Sequence, residues 1–140
     1  MSTSASQLFP AARELFATAA LNWPTALIKV MVMADSFVPN FATQVNLSDI
    51  SSADIIATSA DITGLGATDG ACTGDTTSLG VISDVRVAGG LIFFIDSGSP
   101  ATSTLVAWFG SQDLPGLPAV LDGLEYFVYK NLSYGGWFRL

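Results

Sequence analysis

Apolar residues between Ser6 and Leu21 recur at steps of three and four (Leu8, Phe9, Ala12, Leu15, Phe16, Ala19 and Ala20), which predicts an amphipathic helix over 6–21 with one buried face. Ser6 is placed to cap it, Pro10 falls in its first turns, where a missing N–H costs least, and Asn22-Trp23-Pro24 ends it. From Thr25 to Met33 the period drops to two, with Leu27, Lys29, Met31 and Met33 on one side and Ala26, Ile28, Val30 and Val32 on the other. Both sides are mostly apolar, so this strand is expected to be covered on both faces.

An irregular stretch follows, with a helical turn expected at Asn46 to Ile50, capped by Asn46 or Ser48. Ala53 to Ala60 reads as a strand, and the Gly- and Thr-rich stretch from Asp61 to Gly80 as a loop or weak hairpin. Val81 to Val87 alternates, Gly89-Gly90 resembles a tight turn, and Leu91 to Ile95 is a continuous apolar run; together they predict a hairpin. Ser103 to Phe109, Tyr126 to Tyr129 and Trp137 to Leu140 read as further strands, with a Pro-rich loop from Leu114 to Leu117. Six or seven strands behind one leading helix predict a mainly β fold, an antiparallel β-sandwich or partly open barrel with an N-terminal amphipathic helix. At 140 residues the chain is read as a single domain, 1–140, with the helix at 6–21 and the sandwich over 25–140.

Composition sharpens this. Half the residues are hydrophobic, mean hydropathy is +0.51, and only 12% are charged, about half the ~25% usual in soluble domains. Intrinsic disorder is excluded. Seventeen charges (5 basic, 12 acidic) on a compact monomer of about 6,900 Å² leave roughly one charge per 400 Å², so part of the exterior is expected to be covered by copies of the chain or by another protein. A net charge of −7, with Lys29, Lys130, Arg13, Arg86 and Arg139 scattered, argues against a nucleic-acid partner. Leu27 to Ala34, interrupted by Lys29, is far short of the ~20 residues that cross a bilayer, so no membrane partner is expected. Met1 to Ser6 has no basic flank of the kind that opens a secretory signal. Cys72 is the only cysteine, which points to use inside the cell.

Catalytic chemistry finds little to work with. With no histidine, Ser-His-Asp and Cys-His arrangements have no base. Neither a phosphate loop nor a dinucleotide fingerprint is present, and no cofactor is expected. Asp61, Asp69 and Asp75 fit no EF-hand spacing and read as solvated loop residues, so no metal is expected. Lys29 reads as a lysine that carries its head to solvent, and Cys72 as an inert thiol. The string Phe93-Phe94-Ile95-Asp96-Ser97-Gly98-Ser99 resembles the signature of retroviral-type aspartic proteases, in which two copies each supply one carboxylate. Against that stand the lack of a glycine-rich flap and Phe109-Gly110 following too soon after Asp96; the other reading is a turn opened by Asp96 with Gly98 at positive φ. The remaining candidates are apolar. Phe9, Leu114, Pro115, Leu117, Trp137, Phe138 and Leu140 either close the core or form a protein interface.

The order of segments resembles small structural proteins of tailed bacteriophages. The helix and Asn22-Trp23, then Ile28-Lys29-Val30, Leu47-Ser48-Asp49-Ile50 and Ala57-Thr58-Ser59, are similar to their first half. Leu91 to Gly98, Ala101 to Ala107 and Phe138-Arg139-Leu140 resemble their second, whereas Leu114 to Gly123 and Asn131 to Gly136 depart from the pattern. The resemblance implies a non-enzymatic virion component, a capsid decoration or cement protein on the capsid exterior, assembled in the host cytoplasm. Its partners would be the major capsid protein, copies of itself, or both, and the Asp96 step would be a strand-to-strand turn. A tail, baseplate or fibre-associated module is the alternative within the same class.

Overall fold

The computed structural model describes residues 6–68, 71–111, 114, 117–128 and 138–139; the side chains of Thr68, Phe138 and Arg139 are outside the description. The fold is mainly β, with antiparallel sheets that do not close and one α-helix among the described residues. The strands are β1 (Gln7–Leu8), β2 (Ile28–Ala34), β3 (Ile55–Thr58), β4 (Gly66–Thr68), β5 (Ala71–Thr73), β6 (Thr77–Val81), β7 (Val87–Ile95), β8 (Leu105–Gly110), β9 (Ala119–Val120), β10 (Glu125–Val128) and β11 (Phe138–Arg139). The central sheet runs β1-β8-β7-β2-β3, and β9 joins it at the start of β7. Two smaller sheets, β10-β6 and β11-β5-β4, complete the described structure.

Strand β2 is covered on both faces, as its two-sided apolar pattern requires. Val30 opposite Phe93 and Val32 opposite Leu91 belong to one core cluster, and Met31 opposite Ile92 belongs to the other. The first cluster packs between the central sheet and the small sheets, drawing in Cys72, Ile82 and Val128. The second lies beneath the irregular segment after β2, with Phe37, Phe41, Leu47 and Ile50 packed over Met31, Met33 and Trp108. The expected turn at 46–50 is a 3-10 helix, Leu47–Asp49, whose entry is held by the Asp49 carboxylate accepting from the backbone N–H groups of Val45 and Asn46. Those two bonds hold the Asp49 carboxyl below the usual range.

Three expectations are corrected. The helix covers only Pro10–Ala17. Ser6 is not its cap: the Ser6 hydroxyl accepts from the Gly110 N–H, and Gln7 and Leu8 pair with Trp108 and Ala107, so these residues form an edge strand. At the other end Ala19 adopts φ +60° and the N–H groups of Ala19 and Ala20 donate to Phe16 and Leu15 carbonyls, a left-handed stop that normally uses glycine. Second, Gly89 and Gly90 lie inside β7 instead of turning the chain. A Cβ on Gly90 would overlap the Trp108 ring and come 2.9 Å from the Phe109 carbonyl oxygen, and one on Gly89 would overlap Asp35. These glycines provide room for neighbours, a steric role that leaves the same sequence mark as a turn. Third, β6 pairs with β10, so Val81 to Val87 is no hairpin partner for Leu91 to Ile95.

Candidate interaction surface

The ribbon of β6 and β10 contains one extra residue on β6. Val81 faces Glu125 and Ser78 faces Phe127, so Leu79 and Gly80 together oppose Tyr126. Gly80 takes φ +71°, the left-handed conformation that a glycine bulge needs, and its N–H donates to the Ser78 hydroxyl at 3.0 Å. The same hydroxyl donates to the Glu125 carboxylate at 2.7 Å, which braces the bulge against the partner strand. Simple alternation from the half-buried Leu79 would turn Val81 inward. The bulge shifts the phase, so Val81 is 66% exposed and Ile82 takes the buried position.

The chain beyond the bulge stays beside β9 and β10. Ile82 exchanges backbone hydrogen bonds with Gly123 and Leu124, and Val87 pairs with Val120. Segments 81–87 and 120–127 therefore form one end of the molecule. They carry six of the nine large apolar side chains exposed among the described residues: Val81, Val85 (75%), Val87, Val120, Leu124 and Phe127. Leu27, Val38 and Val45 are the other three. Asp122 and Glu125 are exposed alongside. Arg86 is committed elsewhere: its guanidinium grips the Asp84 carboxylate and donates to the carbonyl oxygens of Ala53 and Ile55.

Of the residues singled out by sequence, the described ones, Phe9, Leu114 and Leu117, do not belong to this surface. Phe9 is fully buried, packed against Phe41 with ring centroids 5.0 Å apart, because β1 pairing with β8 delivers it onto the second core cluster. This corrects the interface reading of Phe9. Leu117 is also buried and Leu114 half-buried, both packed with the first cluster, so the described part of the Pro-rich loop turns its leucines inward. Pro115, Trp137 and Leu140 lie outside the described residues, and of Phe138 only the backbone pairing to Cys72 is described. The signal for the exposed end was the Leu79-Gly80-Val81 step followed by valines at 85 and 87, a phase change that an alternating strand template reads through.

Asp96 sits in a turn. Its carboxylate accepts from the Gly98 N–H at 3.0 Å, with Gly98 at φ +91°, and pairs with Lys29 Nζ at 2.9 Å. The Lys29 hydrogen bond, then the Gly98 N–H, hold the Asp96 carboxyl below the usual range. Within this chain it is an ionised acceptor that fixes the β7–β8 connection, and Lys29 is correspondingly held in its charged form by Asp96. Cys72 is buried, and burial pushes its thiol up to about 11, so it stays protonated at neutral pH. Among the described residues no group of three or more His, Cys, Asp or Glu side chains is placed to hold a metal ion, and no helix is long and apolar enough to cross a membrane. No family model matches the chain, and no curated protein matches it.

Proposed function

We propose that this protein is a non-enzymatic structural component that works by docking on other protein surfaces, in the role of a capsid decoration protein of a tailed phage. The observation that carries the reading is the exposed apolar end at 81–87 and 120–127, where a braced glycine bulge turns Val81 outward. Bulges of this kind re-aim side chains at working edges of sheets. An apolar surface kept on purpose in water is a contact surface. The sparse charge of the whole chain and its resemblance to phage structural proteins support the same reading.

In that role the mechanism is mass action. Binding energy given to the assembled shell and withheld from loose subunits raises the stability of the shell by about RT ln(1 + [L]/Kd). The acidic balance suits the outer surface of a shell better than a lining against packaged DNA. Asp96, as the anchor of a turn, has no chemical part in it.

Reconstruction of particles from the phage that encodes the chain is the direct test. Density on the shell at hundreds of copies is the expected result. A few copies confined to the tail would replace decoration with a tail module, and absence from the particle would overturn the virion reading altogether.

A further inference from the structure

The same end of the molecule has the properties of a contact between identical chains. We infer that two copies pair about a two-fold axis by packing Val81, Val85, Val87, Val120, Leu124 and Phe127 against the same residues of the second copy. This deepens the reading above by naming the copy–copy contact, and it is tested without any shell, so the two can fail separately.

Area is the first argument. Six side chains at these exposures present on the order of 500 Å² of apolar surface, toward the upper end of what a solitary soluble chain carries. Two copies that covered all of it would remove about 1,000 Å² from water, the lower bound for a specific interface. Charge is the second. A two-fold contact sets the groups nearest its axis against themselves, so any charge there meets its own like. The six side chains are all uncharged. Arg86 is already neutralised by Asp84, and the Glu125 carboxylate is held by the Ser78 hydroxyl. Glu125 faces Val81 across the two strands and Asp122 is exposed two residues before Leu124, so the pair brings like acidic charges together. Salt screens that repulsion, so the dimer tightens as ionic strength rises.

Sedimentation equilibrium on the full chain, between about 1 and 100 μM and at low and high salt, tests this. The expected result is a monomer–dimer equilibrium that tightens with salt. Val85→Lys and Val81→Lys should each weaken dimerisation about tenfold or more. Both replace side chains already in water, so the circular dichroism spectrum and the thermal midpoint of the monomer should be kept, which separates lost contact from lost fold. Leu27→Lys, exposed outside this end, should leave the dimer unchanged. A chain that is monomeric throughout overturns the inference. So does dissociation by Leu27→Lys as strong as by Val85→Lys, which places the contact elsewhere. A dimer that weakens with salt overturns it too, since Asp122 and Glu125 would then be engaging basic groups.

Discussion

Valine and glycine recur in two regions of this molecule and do opposite things there. In the central sheet Val30 and Val32 are fully buried, and Gly90 gives up its side chain so that Trp108 can lie over it. At the β6–β10 end Val81, Val85 and Val87 stand in water, and Gly80 has nothing within 4 Å of where a Cβ would be. One glycine is required for space and the other for its backbone angle. The difference shows that hydrophobic pattern alone does not say which valines are core. That depends on what the neighbouring glycine does to the phase of the strand.

The comparison is broken most severely at its buried side. Trp108 is fully buried, pairs across the sheet with Ile92, and meets Phe37 at 5.5 Å between ring centroids. Trp108→Ala should lower unfolding free energy by about 3–5 kcal/mol in a urea titration, because the sheet around Gly90 cannot collapse into the space left. Gly90→Ala attacks the same contact from the other side. Its new methyl group meets the ring and the Phe109 carbonyl oxygen, and a cost of about 1–3 kcal/mol is expected. A loss below 0.5 kcal/mol would show that Gly90 is not there for Trp108.

Gly80→Ala is the matching experiment at the exposed end. No atom is in the way, so the whole cost, about 1 kcal/mol, comes from holding a Cβ at φ +71°. If alanine is tolerated without loss, the bulge is not what turns Val81 outward, and the contrast between the two glycines fails. Asn at this position should fall between glycine and alanine, because its side chain tolerates the left-handed region.

How much of this was legible in the sequence follows from the same contrast. β2 and the second half of β7 were readable because long apolar runs buried on two faces admit few other arrangements, and the turn at Asp96 to Pro100 was readable from its Asx and glycine chemistry. Of the loop or weak hairpin expected between Asp61 and Gly80, the described residues contain a short antiparallel pair, β4 with β5. The helix was overextended, since Leu8 and Phe9 also fit a strand edge and nothing in the composition marks Ala19 as a left-handed stop. The candidate surface was missed for a physical reason: Gly89-Gly90 and Gly80 look alike along the chain, and only the third dimension shows which one turns the backbone and which one makes room. Phe9, open between core and interface in the sequence, falls in the core because of what β1 pairs with.

The smallest effect is expected where the two regions are joined. Arg86 links the exposed end to the central sheet by donating to the Ala53 and Ile55 carbonyls while it grips Asp84. The guanidinium, and then the Arg86 backbone N–H, hold the Asp84 carboxyl down to about 2, against about 3.9 in an unfolded chain. A depressed folded value means that the stabilisation is present above about pH 4 and is lost as pH falls toward 2. The pair is partly exposed and screened, so Asp84→Asn should change stability little at pH 7, where Arg86 keeps its two carbonyl acceptors. Below pH 4 the substitution should flatten the acid limb of the urea midpoint without abolishing it, because Asp49 and Asp96 are also held below the usual range. An acid limb identical to that of the unsubstituted chain would mean that Asp84 and Arg86 do not stay paired in solution. Arg86 would then tie the exposed end to the central sheet through its bonds to the Ala53 and Ile55 carbonyls, beside the Val87–Val120 pairing.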